Sequence, residues 1–297
     1  MEKKLLVIIV TYNGYKWLDK CLNSIEASSV PADIFIVDNG STDGTQDYIR
    51  NNWKSAVFVE SEDNLGFGRA NNLGLQYAVR NGYDYVYLLN QDAWVQADTF
   101  RTMIEVHRRN TDYGILSPMQ IEANGQHLDR SFLSNTVLRT IGRSITDDLY
   151  FNNVRDVYEV KVAWAAHWLI SIDCVKKVGG FSPTFKHYGE DDNYTDRAAY
   201  HGFKTGIVPG TKAVHDRENR ILQPKLLAHL CYTMGLIELS SLSGKVRWIR
   251  VPLKYFQYTF KFGIFRHYPL MFKYVLNIRT ILVNRRKSKE EGAFLEI

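Results

Sequence analysis

The stretch Tyr85–Val95, YVYLLNQDAWV, decides how the rest of the chain is read. An apolar and aromatic run from Tyr85 to Leu89 drives directly into Asn90-Gln91-Asp92. The run has the length of a fully buried strand, and the polar triplet stands where that strand should end. The same pattern recurs upstream. Leu5 to Val10 ends in Thr11-Tyr12-Asn13, Ile34 to Val37 ends in Asp38-Asn39, and AVFVE (56–60) leads into the loop Asn64 to Gly68. Helical spacing fills the gaps. Trp17, Leu18, Cys21, Leu22 and Ile25 mark one helix, and a second begins at Thr45-Gln46-Asp47. A third follows Gly68 and stops at Asn81-Gly82, where glycine relieves the left-handed strain of a helix end. Strands alternating with helices at this spacing predict βαβ units: an α/β chain with a mostly parallel central sheet covered by helices on both faces. In such sheets ligands bind beyond the carboxyl ends of the strands. All four polar clusters sit at those ends and converge on one crevice.

Downstream, residues 98–109 read as a helix and residues 110–160 as short strands and loops. A strand is expected near Ala166 to Ile172, followed by a short helix up to Gly179-Gly180. Next come a helix opening with acids, a strand from Thr205 to Val208, and a helical, aromatic region from about Ile221. With 297 residues, 45% hydrophobic and 23% charged, the chain can bury a large core and does not read as disordered. Cys21, Cys174 and Cys231 are far apart and form no metal spacing, so they are expected to be reduced and buried. The N-terminal apolar core is too short for a signal peptide, and no run reaches the roughly 18 apolar residues of a membrane span.

The net charge of +5 hides an asymmetry. Between Gly244 and Lys289 there are 12 basic residues and no acid, so the remainder of the chain carries −7. An acidic body with a basic arm follows. The arm, VRWIRVPLKYFQYTFKFGIFRHYPLMFKYVLNIRTILVNRRKSK, interleaves aromatics with cations. It suits an anionic membrane surface, or a helical cap packed on the body. A nucleic-acid arm is disfavoured and no nucleic acid is expected.

Each polar cluster admits a chemical and a plain reading. GFGRAN departs from the dinucleotide fingerprint, because Asn71 stands where the third glycine belongs and the loop follows the third strand. Asp38 can accept hydrogen bonds from a pyrimidine N–H or ribose hydroxyls, or organise an Asx-rich turn. Glu190, Asp191 and Asp192 are adjacent on a helix, about 100° apart, so at most one or two enter a pocket. One of them can act as general base, or all can simply favour the helix dipole. His215 can share a divalent cation with Asp92, since Mn2+ or Mg2+ on a diphosphate takes few protein groups. A structural histidine is the alternative.

Taken together, VIIVTYNGYKWLDKCLNSI, IFIVDNGSTDGT, NLGFGRANNLGL, YVYLLNQDAWV and VGGFSPTFKHYGEDDNYTDRAAYHGFKTGIVPGTKAVH resemble the family 2 glycosyltransferases over about residues 4–218. The similarity is greatest to the bacterial rhamnosyltransferase-like branch. The resemblance implies a GT-A fold in residues 1–220, with a nucleotide-binding half (1–95) and an acceptor-binding half (96–220), followed by the basic helical region 221–297. It implies inverting transfer of a hexosyl group from dTDP-rhamnose or a UDP-sugar to a glycan hydroxyl. Position by position, Thr11, Tyr12 and Asp38, with neighbours Asn13 and Asn39, hold the base and ribose. Asn64, Gly66, Arg69 and Asn71 close the nucleoside pocket. Asp92, beside Gln91, is the remaining acid of a DxD motif and takes the metal with His215. Asp191 is the base, with Glu190 beside it. Trp164, His167, Tyr188 and Asp192 belong to the pocket for donor and acceptor.

Two departures stand out: the first DxD carboxylate is replaced by Asn90, and Asn71 stands where Arg is common. The expected partners are a nucleotide-diphosphate sugar, a polyprenyl-linked glycan acceptor, and the cytoplasmic face of the inner membrane, where the enzyme would be peripheral. The expected pathway is bacterial surface polysaccharide synthesis (O-antigen or capsule). A non-catalytic nucleotide-sugar-binding protein on the same fold is the alternative.

Overall fold

The computed structural model describes residues 4–217, 224–243 and 272–296, together with residues 251, 253, 256, 257 and 260. Strands β1 (Leu5–Thr11), β2 (Asp33–Asp38), β3 (Val57–Glu60) and β4 (Tyr85–Asn90) lie parallel in the order β3-β2-β1-β4. They alternate with helices α1 (Tyr15–Glu26), α2 (Thr45–Asn52) and α3 (Phe67–Arg80). Side chains of a strand alternate between faces. Leu5, Val7 and Ile9 accordingly pack with Leu18 and Leu22 of α1, while Leu6 and Ile8 pack with Ala70 and Leu75 of α3. Each fully buried aliphatic side chain contributes roughly 1.5–3 kcal/mol. Gly74 is fixed by this packing, because a Cβ there would run into Ile8.

The remainder contains β5 (Ala93–Val95), α4 (Thr99–Arg109), β6 (Tyr113–Ile121), α5 (Arg130–Asn135), α6 (Ile145–Tyr150), β7 (Tyr158–Val160) and β8 (His167–Ser171). Helices α7 (Ile172–Val178) and α8 (Glu190–Tyr200) precede β9 (Lys204–His215). The sheet continues β4-β8-β6-β9-β5, with β7 on β9. Parallel order holds across the first four strands. Beyond them β8 runs antiparallel to both β4 and β6, β6 is parallel to β9, and β5 and β7 are antiparallel to β9. The reading of residues 110–160 as short strands and loops did not place β6, which runs for 9 residues. Gly114 and Pro118 interrupt its pattern, and the β6–β9 register shifts at both places. A bulge is where an interior strand tolerates proline. β9 also outruns the expected Thr205 to Val208, extending to His215 and so carrying that histidine to the crevice.

Helices α9 (Pro224–Ser240) and α10 (Phe272–Lys287) pack on each other and on the body. Tyr274 stacks on Tyr232 at 4.6 Å, and Phe185, just before the acidic helix, sits in their shared core. The chain then returns to the body. Gly180 N–H donates to Ala293 O, and the buried Arg197 donates to Gly180 O and Val178 O and lies 4.9 Å from the Phe294 ring. Gly179 (φ +85°) is required here, since a Cβ would collide with the Ala293 backbone. The part of the arm in α10 thus packs its inner face on α9, as the capping reading expects. The outer face of α10 exposes Phe272, Val275, Leu276 and Val283 beside Lys273, Arg279 and Arg286. Lys245, Arg247, Arg250, Lys254, Lys261 and Arg266 lie outside the described residues. All three cysteines are free and buried.

Candidate active site

The carboxyl ends of β1 to β4 are joined by hydrogen bonds between loops. Asp38 accepts from five donors: Gly40 N–H (3.1 Å), Ser41 N–H (2.8 Å), Gln46 Nε2 (2.7 Å), Thr11 Oγ1 (2.7 Å) and Ser41 Oγ (2.5 Å). Two carboxylate oxygens offer about four lone-pair sites, so this group is saturated within the protein. Asn13, in a left-handed conformation (φ +49°), accepts from Thr42 N–H at 2.8 Å. Asn39 Oδ1 accepts from Leu65 N–H at 3.3 Å, tying in the Asn64–Gly68 loop. Gln91 forms a two-point bond with the Tyr12 backbone, accepting from its N–H (2.8 Å) and donating to its O (3.1 Å). Gly14 follows from that bond, because a Cβ there would overlap the Gln91 amide.

This arrangement engages several of the expected site residues within the protein itself. Thr11 and Asp38 are fully buried and bond each other, and Asp38 also organises the Asx-rich turn that follows it. The Gln91 amide is engaged by the Tyr12 backbone rather than turned to a ligand. Asn71 is 1% exposed and donates back to Phe67 O of its own helix. His167 is 0% exposed, with Nδ1 on Tyr87 Oη (3.0 Å) and Nε2 on Val214 O (2.9 Å). Its burial holds it neutral, with a pKa lowered to about 3, and it is a core residue rather than a pocket residue. Tyr12, Asn13, Asn64 and Arg69 are exposed, and Gly66 is half-buried against Lys186 O of the loop before α8.

At the end of β4, Asp92 Oδ1 stands 3.6 Å from His215 Nε2. Pairing of β5 with β9 sets this, since Ala93 lies opposite His215. On its other side His215 Nδ1 accepts from Arg217 Nε (3.2 Å) and lies 3.9 Å from Asp129 Oδ2. An accepting Nδ1 places the neutral ring's proton on Nε2, toward Asp92. Asp129 is 3% exposed, caps α5 through Phe132 N–H (2.7 Å), and takes Arg217 Nε at 3.1 Å. The Arg217 guanidinium lies 4.3 Å from the centroid of the half-buried Trp164 ring. Asp129 and Arg217 escaped the sequence reading. Arg217, two residues after His215, was within sight of it, whereas nothing local ties Asp129 to a histidine 86 positions away.

Among the described residues no group of three or more His, Cys, Asp or Glu is placed to hold a metal ion. Asp92 Oδ1 and His215 Nε2, 3.6 Å apart, would supply one oxygen and one nitrogen donor. That donor set suits a divalent cation whose remaining positions are filled by phosphate oxygens and water.

The acids lie across the crevice. Tyr188 (φ +68°) and Gly189 (φ +83°) are consecutive left-handed residues, and α8 starts immediately after them. A bulky residue in this region stores strain. The Asp191 carboxylate accepts from Asp192 N–H (3.0 Å) and lies near the Ala165 backbone, which helps to hold its pKa down. Ala166, next in sequence, bonds Asn90 N–H at 3.1 Å, so the 165–166 segment links Asp191 to the end of β4. Burial raises the Asp191 pKa, opposed in part by backbone N–H groups and Arg217. Burial, then the neighbouring Asp191 charge, pushes Glu190 and Asp192 each to about 7. Glu190 is 7% exposed, and its Oε2 has no hydrogen-bond partner. Tyr188 is half-buried, its ring centroid 4.0 Å from that of His187. The structure thus gathers Asp92, His215, Trp164 and Asp191 around Arg217 and the 164–166 segment, with Asp192 and Tyr188 flanking Asp191.

The parallel β1–β4 half, the loops at its strand ends and the acidic helix α8 frame one crevice. The family profile described as Glycosyl transferase family 2 matches residues 6–161, more than half of the sequence, and the chain belongs to that family. It is 24% identical over 237 residues to the N-acetylglucosaminyl-diphospho-decaprenol L-rhamnosyltransferase of Mycobacterium tuberculosis, covering 73% of this chain and 77% of that one. The glycosyltransferase GlyA of Streptococcus pneumoniae is 28% identical over 106 residues, 35% of this chain and 15% of that one. Among solved structures, S. aureus TarS (residues 1–349) superposes with a TM-score of 0.57 at 17% identity, covering 96% of this chain and 80% of that one. GalNAc-T7 bound to UDP, GalNAc and Mn2+ gives 0.61 at 15% identity, covering 94% and 58%. The fold is GT-A, as expected from the motifs.

Proposed function

We propose that this glycosyltransferase is an inverting hexosyltransferase that takes dTDP-rhamnose or a UDP-sugar and glycosylates a hydroxyl of a polyprenyl-linked glycan. The observation that carries the reading is Asp191: a half-buried carboxylate at the start of α8, held by Asp192 N–H, near Arg217 and the Ala165–Ala166 segment that bonds the end of β4, with a pKa raised by burial. An acid tuned upward accepts a proton more readily near neutral pH than an ordinary carboxylate does.

In the proposed reaction Asp191 takes the proton of the acceptor hydroxyl. The freed oxygen bonds to the anomeric carbon from one face while the bond to the diphosphate breaks on the other. One in-line displacement inverts the anomeric centre. Asp92 and His215 would hold a divalent cation, which when bound offsets negative charge on the diphosphate. Because only one carboxylate is present, metal should bind weakly until the donor contributes oxygens. The loops fixed by Asp38, Asn39 and Gln91 hold Tyr12, Asn13 and Arg69 where a nucleoside would lie.

The acceptor assignment draws on the mycobacterial relative, whose name specifies a diphospho-decaprenol acceptor. It also draws on α10, whose outer face mixes exposed Phe272, Val275 and Leu276 with Lys273 and Arg279. Such a face suits peripheral contact with anionic lipid on the cytoplasmic leaflet. No helix among the described residues is long and apolar enough to cross a membrane. A role in bacterial surface polysaccharide synthesis follows from that acceptor class.

Incubation with dTDP-rhamnose, UDP-glucose or UDP-GlcNAc and a short polyprenyl-diphosphate-GlcNAc acceptor tests this reading. A glycosylated lipid of inverted anomeric configuration by NMR is expected. Retention of configuration would remove the single-displacement mechanism. Flotation with anionic liposomes at low salt tests the surface contact, and protein left at the bottom of the gradient would remove it.

A further inference from the structure

Arg217 has an unusual set of partners. Its Nε alone meets the buried Asp129 (3.1 Å) and His215 Nδ1 (3.2 Å), and the flat guanidinium rests on Trp164 at 4.3 Å. Three groups thus fix the plane of the fork. Among the described residues no acceptor takes Nη1 or Nη2, and the side chain is 40% exposed. The four N–H donors of the two Nη groups therefore remain available. Around them the crevice is acidic, with Asp92, Asp129 and Asp191 all close to Arg217 or its histidine partner. A diphosphate entering such a crevice meets repulsion unless a fixed cation offsets it. A planar guanidinium matches two phosphate oxygens better than a point charge does.

We propose that Arg217 is a diphosphate-binding residue, compensating for the carboxylate that Asn90 replaces in the metal motif. The inference rests on the transferase reading above. Asp129 and Trp164 then act as positioning residues that aim the fork. Under that reading a diphosphate can come from two sources, the nucleotide donor or the lipid-linked acceptor, and both present the same chemistry to Arg217.

The test is calorimetry in EDTA on wild type, Arg217→Gln and Arg217→Lys, each checked for native circular dichroism. The probes are UDP and dTDP, the matching nucleosides, and geranyl diphosphate. Arg217→Gln should weaken a diphosphate ligand by about tenfold or more while leaving nucleoside affinity within about twofold. Arg217→Lys should fall between, because it keeps the charge and loses the fork. Loss confined to the nucleoside diphosphates assigns the residue to the donor, and loss confined to geranyl diphosphate assigns it to the acceptor. Unchanged affinity for both, or equal weakening of nucleoside and nucleoside diphosphate, overturns the proposal. Wild type that binds none of these phosphate ligands overturns the transferase reading, and this inference with it.

Discussion

The two walls of the crevice are built on opposite principles. On the β1–β4 side the polar groups are satisfied: Asp38 has five donors, and Asn13, Asn39 and Gln91 each bridge two loops. On the α8 side the backbone is strained at Tyr188, three acids crowd one helix start, and Glu190 Oε2 is buried without a partner. A satisfied network fixes geometry, whereas crowded, buried acids hold protons they would otherwise lose. On the proposed function, the first wall serves binding and the second serves chemistry.

Substitutions on each wall should therefore separate these two outcomes. The largest effect is expected on the strained wall. Asp191→Asn should lower transfer by about 10²–10⁴-fold with nucleotide affinity retained; loss of binding in the calorimeter would blur the division. Next, Asp38→Ala should destabilise the protein by about 3 kcal/mol or more, because five donors lose their acceptor. Urea unfolding gives the value, and a change below about 1 kcal/mol would mean that the network is not structural.

A pH effect of intermediate size comes from Glu190, whose folded pKa is raised to about 7 by burial. In the unfolded chain the group titrates near about 4.3. Between these values the folded form holds the proton and the unfolded form releases it. Stability should thus decline as pH rises from about 4.3 to 7 and level off above. Glu190→Gln should flatten that part of the melting-temperature profile, and an identical slope in the variant would place the proton elsewhere. The smallest effect is Gln91→Ala. Losing its bonds to Tyr12 should raise the donor KM about fivefold, near 1 kcal/mol, with little change in melting temperature; an unchanged KM would show that the Tyr12 loop holds without it.

The same division explains what the sequence disclosed. The β1–β4 half was legible because each buried strand runs apolar until its last residue, and the helices between them keep one apolar face. Asp191, Asp92 and His215 were legible as types at strand and helix ends. Which groups face a ligand was not, because that depends on partners remote in sequence. Thr11, Ser41 and Gln46 close on Asp38, and Tyr87 and Val214 engage both His167 nitrogens, contacts that no local pattern discloses. β6 was hidden by a bulged proline, and Asp129 by its distance from His215.

The most direct test of the central claim is calorimetric titration of the wild-type protein with UDP-, dTDP- and GDP-sugars, with and without Mn2+. The account predicts that a pyrimidine nucleotide sugar binds, more tightly with Mn2+, and that Mn2+ alone binds weakly. Absence of binding by every nucleotide sugar, or tight Mn2+ binding to the empty protein, would contradict it.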